Sequence, residues 1–289
     1  MKYEFVKMHG AGNDYVYVDC FKNAIHDPNK LSMLVSDRHK GIGADGLVMI
    51  CPSDVADAKM RMFNADGSEG NMCGNAIRCV TKYLFDNGYV DKDNITIETK
   101  SGIKSIKVKT ENNRFVSAAV NMGKAVFEPT LIPVGVGGET FINQPINILG
   151  KPYLCTAVSM GNPHCVTFVD DTQGIDIEKI GPVFENHPLF PDRVNTEFIK
   201  VIDETNLEMR VWERGSGETM ACGTGSCAAV AAAVATGKCK ADTPVSVHLR
   251  GGILVDTYLS DGTVIMEGGA KTVFSGVIDT VELTESFDK

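Results

Sequence analysis

Glu69-Gly-Asn-Met-Cys73-Gly-Asn-Ala76 returns as Glu218-Thr-Met-Ala-Cys222-Gly-Thr-Gly225, 149 residues further along a chain of 289. The same offset carries Gly12-Asn13 onto Gly161-Asn162, Gly88 onto Gly237 and Gly102 onto Gly251, always in the same order. An offset near half the chain length describes two homologous domains of similar fold, whereas a solenoid needs three or more short units.

Working outward from the two cysteines, each Cys-Gly opens a segment that reads as helix, Gly74 to Asn87 and Gly223 to Thr236. In the first, Ala76, Ile77, Val80, Tyr83 and Leu84 recur at spacings of three and four and share one face. Each helix stops at a glycine, Gly88 or Gly237, where a left-handed cap residue belongs. The second helix is apolar all round, which predicts a central position enclosed by its own domain. Flanking segments such as Ile95 to Thr99, Ile103 to Lys109, Leu207 to Trp212 and Val245 to Leu249 alternate apolar and polar residues, the pattern of half-buried strands. Turn pairs Asp66-Gly67, Asn87-Gly88 and Asp261-Gly262 are closely spaced, which favours antiparallel meanders over long crossovers. The expected fold class is α/β (α+β), with two pseudo-symmetric domains, each a mainly antiparallel sheet wrapped around a central helix. The crossing between them is expected near Asn121 to Pro133, giving domains 1–124 plus 276–289 and 125–275.

Composition narrows the function. Hydrophobic residues make up 43% and charged residues 22%, enough for a sizeable core. The net charge is −9, from 28 Lys+Arg against 37 Asp+Glu, with no block of either sign, so neither a nucleic-acid nor an anionic-membrane surface is expected. The longest apolar run, Cys227 to Ala235, is too short to span a bilayer, and the N-terminal residues lack an apolar leader core, so a cytoplasmic protein is expected. The nine cysteines (20, 51, 73, 79, 155, 165, 222, 227, 239) form no Cys-x-x-Cys pair and no zinc-type spacing with histidine; neither a disulfide framework nor a metal site is expected.

Most free cysteines are small buried hydrophobes, so a chemical role needs a further argument. Cys73 and Cys222 have one: both stand at a helix start, where unpaired N–H groups and the macrodipole favour a thiolate. The N–H groups of Gly74, Asn75, Gly223 and Thr224 could also hold a substrate carboxylate. Two pseudo-equivalent domains would bring one thiol to each side of a bound molecule, which suits removal of a proton from one face of a carbon and its return to the other.

The chain also resembles a known family. His9-Gly-Ala-Gly-Asn-Asp-Tyr15, Phe63-Asn-Ala-Asp-Gly-Ser68, Met72-Cys-Gly-Asn-Ala-Ile-Arg78, Gly161-Asn-Pro-His164, Arg193-Val-Asn-Thr-Glu-Phe198, Trp212 to Thr219 and Ala221-Cys-Gly-Thr-Gly225 resemble, nearly end to end, the diaminopimelate epimerases. The resemblance implies a cofactor-independent enzyme of lysine and cell-wall precursor biosynthesis that interconverts LL- and meso-2,6-diaminopimelate, and a homodimer. It makes Cys73 and Cys222 the acid/base pair. It gives Asn64, Asn162, Asn195 and Arg214 the distal end of the substrate, Glu213 its ammonium group, and Asn13 a place in the pocket. It makes His164 and Glu213 modulators of the thiol pKa values. Arginine suits forked pairing with a carboxylate.

One position departs from the pattern. Many members carry glutamine where this chain has Gly46, so a side-chain contact there is expected to be lost or replaced. The sequence is open to three other readings. Gly223-Thr-Gly-Ser-Cys-Ala228 fits a dinucleotide fingerprint but lacks its strand–turn–helix context. Cys73/Cys79 and Cys222/Cys227 are not spaced as redox pairs. A sister racemase for another amino acid is the serious alternative; proline-type members typically have histidine where this chain has Asn75.

Overall fold

The computed structural model describes residues 2–287. They divide into two compact units, one holding the chain up to Val120 and again from Gly268, the other Asn121–Glu267.

The first unit runs β1 (Lys2–Gly10), β2 (Asn13–Asp19), α1 (Pro28–Ser36), β3 (Gly46–Cys51), β4 (Ala58–Asn64), β5 (Glu69–Gly70), α2 (Gly74–Asp86), β6 (Asn94–Thr99), β7 (Gly102–Glu111) and β8 (Arg114–Lys124). The second repeats the plan with β9 (Gln144–Ile148), β10 (Lys151–Ser159), β11 (Pro163–Phe168), α3 (Ile177–Glu185), β12 (Asn195–Asp203), β13 (Asn206–Glu213), β14 (Gly217–Glu218), α4 (Gly223–Ala235), β15 (Val245–Leu249), β16 (Gly252–Tyr258) and β17 (Thr263–Gly268). Then β18 (Lys271–Asp279) and α5 (Thr280–Phe287) return to the first unit. The expected domain limit at residue 275 would cut β18, whose pairing with β1 runs from Lys2↔Asp279 to His9↔Lys271.

The 149-residue offset holds element by element: it takes Lys2 to Lys151, Pro28 to Ile177, Gly46 to Asn195, Gly74 to Gly223 and Arg114 to Thr263, each the first residue of its element. The strand-rich α/β architecture expected from the repeat is observed, with two differences. A second, shorter helix stands in each unit, α1 and α3, and each unit contains parallel pairs, β2 with β3 and β4 with β6, β11 with β12 and β13 with β15. Each parallel pair is bridged by a helix, so the crossovers that close turn spacing argued against are present. The other ladders are antiparallel.

The central helices end as their glycines predict. Gly88 (φ 70°) donates to Phe85 and Tyr89 to Leu84; Gly237 (φ 71°) donates to Val234 and Lys238 to Ala233. These are two copies of the same left-handed cap, in which the residues past the helix satisfy its last carbonyls. Helix α4 packs on β10, β11, β12, β15 and β16, which is why an alanine-rich helix buries Gly223 and Gly225 to Ala233 on every side. On the other face of the sheets, α1 packs with Val16, Val18, Leu47, Met49 and Phe63, and α3, through its Phe184, with Phe198 and Trp212. Each fully buried aliphatic or aromatic side chain contributes about 1.5–3 kcal/mol. Strands covered on both faces explain unbroken apolar stretches such as Leu47 to Ile50. Among the described residues no helix is long and apolar enough to cross a membrane.

Candidate active site

In the first unit, Cys73 is the N-cap of α2, with extended backbone (φ −136°, ψ 120°). Its Sγ accepts from the Ala76 N–H at 3.5 Å and lies 3.4 Å from Asn13 Oδ1, to which the thiol donates. The same Asn13 oxygen accepts from Asn75 Nδ2 at 3.4 Å, while Asn13 Nδ2 donates to Asp45 Oδ2 at 2.7 Å. Behind Asn75 lies Arg78, fully buried, donating to Asn75 Oδ1 at 2.8 Å and Gly74 O at 3.0 Å. The first turn of α2 is thus braced from inside the helix. Gly74 and Asn75 sit at its start, where N–H groups lack intrahelical partners. Asn64 is exposed at the end of β4, its Nδ2 donating to Ser68 Oγ at 2.9 Å.

The second unit places Cys222 as the N-cap of α4, also extended (φ −118°, ψ 111°) and buried. Its Sγ is 3.6 Å from Thr224 Oγ1; Asn162 Nδ2 donates to that hydroxyl at 3.3 Å; Asn162 Oδ1 is 3.0 Å from His164 Nε2; and His164 Nδ1 is 2.7 Å from Glu197 Oε1. His164 and Glu197 have no exposed side-chain surface. The expectation that a helix start favours the Cys222 thiolate is corrected here. Burial first, then the Glu213 carboxylate and the buried Glu197 acid, push this thiol well above its ordinary value, against the smaller pull of the Thr224 hydroxyl and the Gly225 N–H. Burial likewise raises the Glu197 carboxyl, opposed by His164 and reinforced by Glu213.

The remaining expected residues are placed as follows. Asn195 is buried, with its amide donating to Pro163 O at 2.8 Å and accepting from the Arg214 N–H at 2.9 Å. It joins β11, β12 and the turn after β13. Arg214 is exposed, donating to Asp192 O at 2.9 Å, and Glu213 accepts from the Thr219 hydroxyl. In the second unit the structure gathers Asn162, His164, Glu213, Gly223 and Thr224 around Cys222. In the first it gathers Asn13, Gly74 and Asn75 around Cys73. The sequence reading missed Asp45, Arg78, Glu197 and Thr219. Glu197 had a signal: a lone acid in the otherwise neutral stretch Val194 to Ile199, a strand with no polar face.

Gly46 has a different meaning from the one its sequence suggested. It pairs with Asn64 across β3 and β4, and a Cβ there would lie 2.0 Å from Phe63 O and 2.9 Å from the Tyr15 ring, so no side chain fits this backbone path. The second glycine of the dinucleotide-like run, Gly225, also has a packing reason: its Cβ would lie 2.7 Å from Glu197 Oε1 and 3.2 Å from Cys222 Cβ. The redox alternatives lose their exposed thiols. Cys79 is buried and pushed up to about 12, chiefly by that burial, and the buried Cys227 faces Asp256 Oδ1 at 3.9 Å.

Sequence comparison agrees with the motifs. The family model described as Diaminopimelate epimerase matches residues 5–128 and 156–273. A diaminopimelate epimerase of Acetivibrio thermocellus is 50% identical over 279 residues, covering 96% of this chain and 99% of the relative. One from Methanococcus maripaludis is 49% identical over 276 residues, covering 96% and 99%. In structure the chain is similar to a Bacillus anthracis phenazine biosynthesis protein of the PhzF family (TM-score 0.72, 17% identity, 96% of this chain and 99% of that one). It is also similar to a hydroxyproline epimerase of Agrobacterium vitis with bound trans-4-hydroxy-L-proline (TM-score 0.67, 14% identity, 98% and 94%). At such identities the structural likeness speaks for the fold, and the near full-length sequence identity speaks for the family: this chain belongs to the diaminopimelate epimerases and is an isomerase.

Proposed function

We propose that the chain interconverts LL- and meso-2,6-diaminopimelate by a two-thiol acid/base reaction, with Cys73 and Cys222 as the catalytic residues. The observation that carries this reading is the pair of equivalent N-cap cysteines, one at the first turn of each central helix. One thiolate takes the α-proton and the other thiol returns a proton to the opposite face, which inverts the centre. The roles exchange in the reverse direction. Burial and the neighbouring Glu213 hold the Cys222 thiol up, which suits Cys222 to the proton-donor role in the direction in which Cys73 is the base.

An α-proton beside a carboxylate is a very weak acid, so the base alone is insufficient and the developing charge needs aimed donors. The N–H groups of Gly74, Asn75, Gly223 and Thr224 are assigned to the reacting carboxylate, and this chemistry calls for no cofactor. Asn13 and Asn162 orient the thiols' neighbours. Asn64, Asn195 and Arg214 take the distal end of the substrate and Glu213 its ammonium group, while His164 and Glu213 adjust the thiols. A cytoplasmic homodimer accompanies this reading.

The test is α-proton exchange. Reduced protein without added cofactor is incubated with LL- or meso-diaminopimelate in D2O and followed by NMR and chiral chromatography, beside Cys73→Ala and Cys222→Ala. Deuterium incorporation with interconversion in wild type, lost in both variants, is expected. Interconversion surviving either substitution would end the two-thiol reading, and turnover of another amino acid alone would move the substrate to a sister racemase.

A further inference from the structure

Glu197 is a fully buried acid that the proposed reaction does not use. Its Oε1 meets His164 Nδ1 at 2.7 Å, and its Oε2 is buried with no hydrogen-bond partner among the described residues. The groups facing it are His164 and Cys165 on β11, Glu213 on β13 and Cys222 at the start of α4, and the absent Cβ of Gly225 leaves room for its carboxyl under that helix.

Hydrogen-bond bookkeeping along this row gives a direction. Asn162 has its nitrogen toward Thr224 and its oxygen toward His164, so Nε2 must carry a hydrogen to satisfy that oxygen. With Asn162 donating to Thr224 Oγ1, the threonine hydroxyl is left to donate to Cys222 Sγ. Every donor then points toward the sulfur, the polarity that supports a thiolate when the α-proton has to be taken on that side. A neutral imidazole with hydrogen on Nε2 needs a donor at Nδ1, and the neighbour at 2.7 Å is the Glu197 carboxyl. A carboxyl with one oxygen unpartnered in a dry site is stable as the neutral acid, which supplies that hydrogen.

We infer that Glu197 is a positioning residue: as a protonated carboxyl it donates to His164 Nδ1, holds the imidazole as the Nε2–H tautomer, and so aims the Asn162–Thr224 row at Cys222. This rests on the two-thiol reading for its consequence in turnover, but the tautomer and the reactivity of Cys222 are measurable without turnover.

The experiment compares Glu197→Gln with Glu197→Leu. Both remove the carboxyl O–H, and glutamine alone replaces it with an N–H for Nδ1. Glutamine is expected to keep kcat within about twofold of wild type, and leucine to lose about tenfold or more with KM little changed, the loss of one ordering hydrogen bond in a buried site. In a Cys73→Ala background, the pH midpoint for iodoacetamide alkylation of Cys222 should stand higher in the leucine variant than in the glutamine variant. Imidazole 15N shifts, with His164 assigned through His164→Asn, should report the neutral Nε2–H form in wild type and Glu197→Gln. Equal kcat in both variants, glutamine as impaired as leucine, or an Nδ1–H or doubly protonated His164 in wild type would each overturn the inference. Should the leucine variant fail to fold, the wild-type tautomer decides. If the tautomer is as inferred and Cys222→Ala still epimerises, the two-thiol reading alone is at fault.

Discussion

Replacing Arg78 with methionine removes a guanidinium and leaves most of the side-chain volume, and its effect can be sized from the contacts. Arg78 is completely buried in α2 and donates to Asn75 Oδ1 at 2.8 Å, Gly74 O at 3.0 Å and, at a long 3.4 Å, Gly269 O. Gly74 O keeps its place in the helix ladder, but Asn75, only 3% exposed, would lose its charged donor. A hydrogen bond to a charged group contributes about 1.5–3 kcal/mol, and leaving the weaker Gly269 contact empty roughly 1 more. The released cost of burying a cation offsets part of this, so the first unit should lose about 2–3 kcal/mol. The assay exploits the single tryptophan. Trp212 lies in β13 of the second unit, so its fluorescence follows that unit while far-UV circular dichroism follows both. In urea, Arg78→Met should bring an early dichroism transition ahead of the Trp212 transition. A variant whose dichroism curve overlays wild type, with loss under about 1 kcal/mol, would refute the claim that the guanidinium braces the Cys73 turn.

Further outcomes follow from the same contacts. Glu213→Gln removes an acid that raises the Cys222 thiol, so the alkylation midpoint of Cys222 in a Cys73→Ala background should move to lower pH; an unchanged or higher midpoint would contradict the electrostatic assignment. In the first unit, burial pushes Cys79 from an ordinary 9.0 to about 12, and burial with the bond to Asp19 pushes Tyr89 from 10.0 to about 12. The folded state favours both protonated forms, so their stabilisation is complete below the ordinary values and is lost as pH rises through about 12. The dichroism midpoint in urea should therefore fall between pH 9 and 12, and a flat profile would count against it. Gly88→Ala and Gly237→Ala meet no atom of the described residues within 4 Å, so each should cost only the strain of positive φ, about 1 kcal/mol; a cost several times larger would mean a packing role for either glycine.

What was legible in the sequence was local or repeated. The two central helices could be bounded because cysteine, glycine and the cap glycine are all read within one segment and then again 149 residues later. Helix α1 was missed although it carries its own signals: Asp27 Oδ1 accepts from the Lys30 N–H and Pro28 opens the helix. Nine residues with one buried face are short enough to pass for a turn. The parallel pairs were hidden because partner choice is non-local and close turns do not report it. In the site, Cys73 and Cys222 stood out by position, whereas Glu197 and Asp45 act through hydrogen bonds to residues 33 and 32 positions away. A glycine such as Gly46 tells a reader that a side chain is missing, and only the Phe63 carbonyl 2.0 Å from its would-be Cβ tells why.

Two copies of one scaffold present a difficulty for a reaction of this kind, which has to begin with one thiol and one thiolate rather than two of either. Equivalent surroundings would give the cysteines equal proton affinity, so the repeat must be broken where it touches sulfur. It is broken at one amide. Asn13 and Asn162 are related by the offset, yet they are held in opposite senses. The Asp45 carboxylate takes the nitrogen of Asn13 and turns its oxygen toward Cys73, whereas His164 faces the oxygen of Asn162 and turns its nitrogen toward Thr224 beside Cys222. Position 13 thus offers an acceptor to its thiol and position 162 feeds a donor row to its own. The fixed groups behind each amide, an acid in one unit and an imidazole backed by Glu197 in the other, are a local means by which a duplicated fold acquires two unlike thiols. Asp45→Asn tests the first-unit half: it frees the Asn13 amide to turn over, so iodoacetamide alkylation of Cys73 in a Cys222→Ala background should change its pH midpoint while Cys222 in the reciprocal background does not. An unchanged Cys73 midpoint would show that amide sense has no hold on the thiol.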